Sequence, residues 1–358
     1  MNKRRLGLGR AARWSLTVLF LTLLLFICSA LSISIGSAKT ALIDAAGILL
    51  GQIPGFKQVF GAWWSETQEV IVVQLRLPRL VSAILVGAAL AISGAVFQGM
   101  FRNPLADPYV LGIASGAGLG GVAAMLLSPS LLPIGLVYTR PFMASVTGLF
   151  TIFIVYMVAR TGGRVPVLRL VLAGVAISSL MSALTMQLLF FAGERGHMAL
   201  AWLFGSFAIV EGKWDYVEVA APVILTCSTL ILLFSRELNI MAMGEEQAKH
   251  LGVDVETVKK ALLTLASIAT AAAVAISGVI GFVGLIVPHA MRLVVGPDHR
   301  ILLPSSALAG ATLLVVCDTL IRARIMAPAS ELPIGTITAM LGCPFFLYLL
   351  IKSRRVVI

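Results

Sequence analysis

Long apolar segments separated by short charged ones dominate the pattern along the chain. Runs without Asp, Glu, Lys or Arg cover 15–38, 80–101, 109–139, 141–159, 170–193, 219–235, 261–291, 301–317 and 332–351. Most are close to the roughly 20 residues that one helix needs to cross a membrane. They lack the alternation over about ten residues that is typical of a membrane β-strand. The pattern predicts an all-α polytopic membrane protein.

Two of these runs, 109–139 and 261–291, are longer than one crossing requires. In the first, two prolines predict a helix to about Leu127 and then an external loop. In the second, the sequence SGVIGFVG predicts one helix ending near Ser277 and a short one over about 282–295, because glycines loosen a helical backbone. About ten transmembrane helices result. Such a break is typical of the moving part of a transporter, and a tight packing turn remains the alternative.

The distribution of basic residues sets the predicted topology. With ten crossings and a cytoplasmic N-terminus, about twice as many Lys and Arg residues lie inside as outside, as the positive-inside rule requires. Residues 1–14 then form a cytoplasmic tail, and 15–358 form the transmembrane domain. The largest cytoplasmic loop, about 236–260, contains good helix formers divided by Gly244 and Gly252. Its size suits a docking surface.

A short internal sequence repeat indicates a duplicated core. ALAISG at 89–94 recurs as AVAISG at 273–278, and each copy is followed by a polar turn that contains proline. Under the ten-helix topology the two copies run in opposite directions, so the prediction is an inverted repeat, a common plan in transporters. Convergent composition of packed helices is the alternative.

Composition excludes several classes of function. The 358 residues are 59% hydrophobic and only 12% charged, far from the composition of a soluble domain. The net charge of +11 comes from residues dispersed between the apolar runs, which does not indicate nucleic-acid binding. Nucleotide-binding loops, metalloprotease motifs and nucleophile elbows are absent from the sequence. We therefore expect a protein that is not an enzyme and holds no metal or cofactor.

Charged residues near the predicted outer membrane surface are the first candidates for recognition. Arg76 and Arg79 lie in the sequence RLPRL, which we expect to form a turn at the outer mouth of the second helix, and could offer forked donors to the carboxylates of a partner. Interfacial snorkelling is the alternative. Asp318 and Arg322 are spaced i,i+4 and could pair along one helix, which would reduce the cost of burying Asp318.

Several blocks resemble one known family. They are QLRLPRL (74–80), GAALAISGAVFQGMFRNPLADPYVLGIASGAG (87–118), LRLVLAGVAIS (168–178), GEEQAKHLGV (244–253), GFVGLIVPHAMRLVVGPDHR (281–300) and ELPIGTITAMLGCPFFLYLL (331–350). In this order they resemble the iron-siderophore, haem and cobalamin permease family, the FecCD type, of bacterial ABC importers. The resemblance covers the chain from about residue 70 to its end.

The resemblance implies a type II importer permease in the bacterial cytoplasmic membrane, with both termini in the cytoplasm. Its implied partners are a second permease subunit, two ATP-binding subunits that carry ATP and Mg²⁺, and an external substrate-binding protein. The residues implied to contact the ATPase are Gly244, Glu245, Ala248, Leu251 and Gly252. Those implied to meet the binding protein are Arg76, Arg79 and either Arg322 or Arg324, because the spacing from Asp318 to Glu331 exceeds the family pattern by about two residues.

The resemblance also implies gates and a cargo. The inner gate includes Asn103 and Leu105, and the outer mouth includes a short helix near Trp202, Phe204, Gly205 and Phe207. The expected cargo is a ferric siderophore, with haem or cobalamin as alternatives. A secondary transporter driven by ions is the alternative from another class, although Asp318 is the intramembrane carboxylate it would have to use.

Overall fold

The computed structural model describes residues 10–36, 38, 40–126, 136–162, 165–193, 196–324 and 331–353. The described residues are overwhelmingly helical. In chain order the α-helices are α1 (Arg10–Ser34), α2 (Leu42–Leu50), α3 (Phe56–Phe60), α4 (Glu66–Val70), α5 (Leu77–Phe101), α6 (Ile113–Leu126), α7 (Leu136–Ala159), α8 (Val167–Ala192), α9 (Gly196–Leu203), α10 (Trp214–Leu233), α11 (Ser235–Met241), α12 (Glu245–His250), α13 (Val255–Ser277), α14 (Val283–Val295), α15 (His299–Arg322) and α16 (Ile334–Ser353).

The described helices agree with the prediction of about ten crossings. Among the described residues, seven helical spans are long and apolar enough to cross a membrane, and three further apolar stretches add to them: α6, α14 and the Ile334–Tyr348 part of α16. The predicted break is confirmed, because α13 ends at Ser277 and α14 begins at Val283. The predicted end of α6 near Leu127 and the loop after it lie outside the described residues.

The second span begins earlier than the apolar run at 80–101 indicates. It is a continuous helical stretch over Glu66–Phe101 in which a π-helical turn, Ile71–Arg76, joins α4 to α5. Pro78 has no N–H to donate inside this stretch, and the carbonyl groups of Val73 and Gln74, about one turn before it, accept hydrogen bonds from the Trp214 Nε1–H and the Gly212 N–H. Our expectation of a turn around RLPRL is therefore wrong, because Arg76 and Arg79 are inside a helix.

Three helices form the inside of the bundle. Most of the apolar part of α5, α13 and α15 is buried, whereas α1, α7, α8 and α10 expose most of theirs. Exposed apolar helix faces are expected of segments that contact lipid. The bundle therefore has a central layer with peripheral helices around it.

Glycine allows the backbones of the central helices to touch. A Cβ atom added to Gly94 in α5 would lie 1.9 Å from the carbonyl oxygen of Gly284 in α14. One added to Gly87 would lie 2.3 Å from the carbonyl oxygen of Gly310 in α15. These close approaches are the small-residue packing by which membrane helices associate.

The two copies of the internal sequence repeat have different local structures. The first lies inside the continuous helix α5, whereas the second ends α13, where Gly278 has a φ of +71°. The inverted relation between the copies stays a prediction.

Candidate functional site

One buried guanidinium holds three carboxylates together at one end of the bundle. Arg79 in α5 donates from Nε to Asp318 in α15 at 2.8 Å, from Nη1 to Glu211 at 2.6 Å and from Nη2 to Glu331 at 2.9 Å. Arg79 and Asp318 are each 1% exposed, while Glu211 and Glu331 are about one-third exposed. The forked donors predicted for a partner's carboxylates are thus occupied by carboxylates of the same chain.

Two further buried arginines, Arg76 and Arg322, bind the end of α1. Arg322 pairs with Asp318 at 3.0 Å, which confirms the predicted i,i+4 pair, and also donates to the carbonyl oxygen of Ser32 at 2.9 Å. Arg76 donates to the carbonyl oxygens of Ile33 and Ser34. Cations near the C-terminus of a helix satisfy its free carbonyl groups and complement its dipole.

Arg324 differs from the other three arginines. It follows the end of α15 in a left-handed conformation with a φ of +55°, and its side chain is exposed. Arg76, Arg79 and Arg322 are each at most 6% exposed. In this conformation Arg324 is the one of the four predicted docking arginines whose side chain is accessible to a partner.

The predicted coupling segment consists of two short helices, α11 and α12, as the glycine positions indicated. Gly244, with a φ of +127°, precedes α12, and Gly252, with a φ of +81°, follows it. Ala248 is fully buried against the bundle, whereas Leu251 is 59% exposed. The segment thus has one face packed on the bundle and one face free.

A buried lysine connects the coupling segment to a central helix. Lys259 in α13 is 4% exposed, and its Nζ lies 2.7 Å from Glu245 of α12 and 3.7 Å from Glu256. These groups line a polar depression of about 540 Å³ that also includes Arg102 at the end of α5. The sequence did not single out Lys259. Its i,i+3 spacing from Glu256 could have indicated an ion pair along α13, but not its burial.

The predicted inner-gate turn follows α5. The Asn103 side chain accepts a hydrogen bond from the Leu105 N–H at 3.0 Å, and Asn103 is exposed while Leu105 is half-buried. Nearby, burial raises the pKa of the Asp107 carboxyl to about 6, although a hydrogen bond from the Tyr109 N–H to Oδ1, at 2.8 Å, opposes this rise. The side chain of Tyr109 contacts the break between α13 and α14, because its hydroxyl donates to the carbonyl oxygen of Ile280 at 3.0 Å.

The segment expected at the outer mouth lies mostly in the core. The short helix α9 spans 196–203, earlier than the 202–207 stretch that we expected. Trp202 and Phe207 are at most 2% exposed, whereas Phe204 is 59% exposed. Of these three side chains, only the Phe204 ring is exposed in this conformation.

This segment nevertheless contacts the end of α13 and the start of α16. The Ser206 N–H donates to the carbonyl oxygen of Ser277 at the end of α13, at 2.8 Å. The Ile334 N–H at the start of α16 donates to the carbonyl oxygen of Gly205, at 2.9 Å. These bonds satisfy backbone groups that are left free at the two helix ends.

A bundle of apolar helices with an interrupted central segment is typical of a polytopic membrane transporter. A solved metal-chelate-type ABC transporter in an inward-facing conformation has the same architecture, with a TM-score of 0.77, 33% identity, and coverage of 95% of this chain and 99% of that one. The chain belongs to the FecCD transport family, whose model matches residues 23–352. It is thus an ABC importer permease.

Curated relatives align over most of the sequence. The cobalamin import system permease protein BtuC of Halobacterium salinarum is 46% identical, over 91% of this chain and 87% of the relative. The hemin transport system permease protein HmuU of Yersinia pestis is 42% identical, over 82% of this chain and 87% of the relative. The Fe(3+) dicitrate transport system permease protein FecD of Escherichia coli is 39% identical, over 94% of this chain and 98% of the relative.

Proposed function

We propose that this permease carries a bulky metal chelate across a cytoplasmic membrane and takes its energy from separate ATP-binding subunits. The match to chelate permeases along nearly the whole chain supports the proposal most directly. The expected cargo is a ferric siderophore. Cobalamin is the second cargo to test, because the relative named for it is 46% identical whereas that named for Fe(3+) dicitrate is 39% identical.

Uptake by the reconstituted importer tests the cargo. The complex, in vesicles that contain ATP on the ATPase side, is offered labelled ferric siderophore, haem or cobalamin, each with its binding protein. Accumulation of one chelate that requires ATP identifies the cargo. Uptake that survives without ATP and stops with an uncoupler would contradict the proposal and favour the ion-driven alternative.

The ATP-binding subunit would dock on α12 and the residues around it. Exposed Leu251 and Met243 offer an apolar contact there, while buried Ala248 fixes the helix to the bundle. Glu245 would transmit motion through Lys259 to α13. In the complex, deletion of 244–252 should abolish the stimulation of ATP hydrolysis by the loaded binding protein. Stimulation that persists would contradict this role.

The binding protein would dock at the end of the bundle that holds Arg79. Arg324 is the exposed candidate, whereas Arg76, Arg79 and Arg322 would have to exchange internal partners first. We expect Arg324→Glu to weaken capture of the permease by immobilised binding protein and to leave binding of the ATPase intact. Unchanged capture would exclude Arg324.

The arrangement in the membrane belongs to the same proposal. Two permease chains, identical or paralogous, would form the pathway, with the termini and the 236–260 segment on the side of the ATPase. Labelling of single cysteines placed next to Arg324 and next to Leu251 by a reagent that cannot cross the membrane tests the orientation. Labelling of both positions from the same side would contradict it.

A further inference from the structure

An apolar groove follows the outside of the bundle between α7 and α13. It begins near the end of the bundle that holds the coupling segment and has a volume of about 480 Å³. Phe153 of α7 and Ile268 of α13 line its apolar part, and Phe153 is 57% exposed. A second groove of about 450 Å³ continues from it past Ala271 and Ala275, whose small side chains leave α13 recessed. Together the grooves follow most of the length of α13.

The first groove becomes polar at the end where α13 begins. Lys260, Thr264 and Ile268 line it at four-residue intervals, so they follow one face of α13 from charged to hydroxyl to apolar. Lys260 and Thr264 are both exposed. At 1.5 Å per residue, Thr264 lies about 6 Å deeper along the helix than Lys260. This succession matches that of a phospholipid, in which the phosphate precedes the ester groups and these precede the acyl chains.

A second basic residue flanks the mouth of the groove. Tyr156 of α7 lines the groove, and Arg160 follows it by one helical turn, with its N–H bonded to the carbonyl oxygen of Tyr156 at 3.0 Å. Arg160 is exposed. Lysine, arginine and tyrosine at the depth of the headgroups are the residues expected to contact anionic lipid.

A buried hydroxyl group gives an independent indication of a polar ligand. Ser267 lines the groove, is 1% exposed, and its Oγ has no hydrogen-bond partner among the described residues. A buried hydroxyl without a partner is unfavourable, so an occupant that carries an acceptor would stabilise the site. A plain hydrocarbon chain offers no acceptor, whereas the ester carbonyl groups of a phospholipid do.

We propose that this groove binds one anionic phospholipid of the leaflet next to the coupling segment. Its phosphate contacts Lys260 and Arg160, its ester carbonyls accept hydrogen bonds from Thr264 and Ser267, and one acyl chain lies against Phe153 and Ile268. The positive charges favour an anionic headgroup over a zwitterionic one, by about fivefold for each Lys or Arg near the surface. The lipid would pack directly on α13, the helix that Lys259 connects to the coupling segment.

Native mass spectrometry of the purified permease tests this site. The protein is equilibrated with equal amounts of phosphatidylglycerol and phosphatidylcholine in detergent, and the bound lipid is counted. We expect preferential retention of one phosphatidylglycerol by the wild type. Lys260→Gln should lower that preference about fivefold. Lys249→Gln, which removes an exposed charge from the same end of the bundle but outside the groove, should leave it unchanged.

A second variant separates lipid binding from general surface charge. Ile268→Trp would fill the acyl part of the groove and keep both basic residues, so it should reduce retention of either lipid while the thermal unfolding midpoint stays near that of the wild type. Equal retention of the two lipids by the wild type, or equal behaviour of Lys260→Gln and Lys249→Gln, would overturn the proposal. A cross-link formed between a reactive group at position 153 and a second copy of the chain, with no lipid bound, would also overturn it. None of these outcomes depends on the transported cargo.

Discussion

Removal of the guanidinium of Arg79 is the sharpest perturbation that the structure offers. Arg79→Met keeps a long apolar side chain but leaves Asp318 buried with Arg322 as its remaining partner. Breaking a buried pair costs about 3–5 kcal/mol, because a charge is left without its partner. Glu211 and Glu331 are about one-third exposed, and a pair at such a position contributes only about 0–1 kcal/mol. We therefore expect a loss of about 3 kcal/mol, the lower part of the range, because Arg322 still contacts Asp318.

The assay compares unfolding midpoints of variants in one detergent, by denaturant or by heat. Arg324→Met is the matched control, because that arginine is exposed at the same end of the bundle, and it should change stability little. Glu211→Gln should also have a small effect. Arg79→Met and Asp318→Asn should be less than additive when combined, since both remove the same ion pair. Unfolding of Arg79→Met at the same midpoint as Arg324→Met would show that the buried ion pair does not stabilise the protein.

The remaining predictions concern coupling, helix packing and pH. Lys259→Met should separate Glu245 from α13 and lower transport per ATP hydrolysed roughly fivefold or more, measured in the reconstituted complex. Gly94→Ala should destabilise the protein by about 1–3 kcal/mol or more in the same unfolding assay, because the added Cβ would overlap the backbone of Gly284. As pH rises from about 4 to about 6, the stability of the wild type should fall relative to that of Asp107→Asn.

The sign of the pH effect follows from the raised pKa of Asp107. Below its unfolded value of 3.8 the carboxyl is protonated in both states, and between 3.8 and about 6 only the folded state retains the proton. The folded state therefore loses an advantage of at most roughly 3 kcal/mol as pH rises through this window. Equal pH profiles for the wild type and Asp107→Asn would contradict this account.

Two controls accompany the other variants. Lys259→Arg keeps the charge near Glu245 and should retain much of the coupling; equal loss in Lys259→Arg and Lys259→Met would indicate a packing role only. Gly281→Ala is the comparison for Gly94→Ala, since an added Cβ there meets no atom within 4 Å. Equal destabilisation by both substitutions would show that close helix packing is not the cause.

The hydrophobic pattern alone was sufficient to place most of the long helices, although it did not indicate that the second span begins as early as Glu66. Transfer of backbone groups into lipid requires helices of a minimum length, so each apolar run had to become a crossing, and the glycines after Ser277 had to interrupt one. The short helices on either side of Gly244 followed from local sequence in the same way. These features depend on neighbouring residues, which a sequence displays directly.

The tertiary structure decided what the charged residues contact. Arg79 and Asp318 are 239 positions apart, and nothing local in the sequence indicates that α5 and α15 become neighbours. The same holds for Arg76, whose partners at the end of α1 lie about 40 positions before it. The sequence determined which segments enter the membrane because that depends on local hydrophobicity. The packing of those segments decided that these arginines contact the protein's own carboxylates and carbonyl groups. A buried charge requires a partner, and which partner is available depends on which helices pack together.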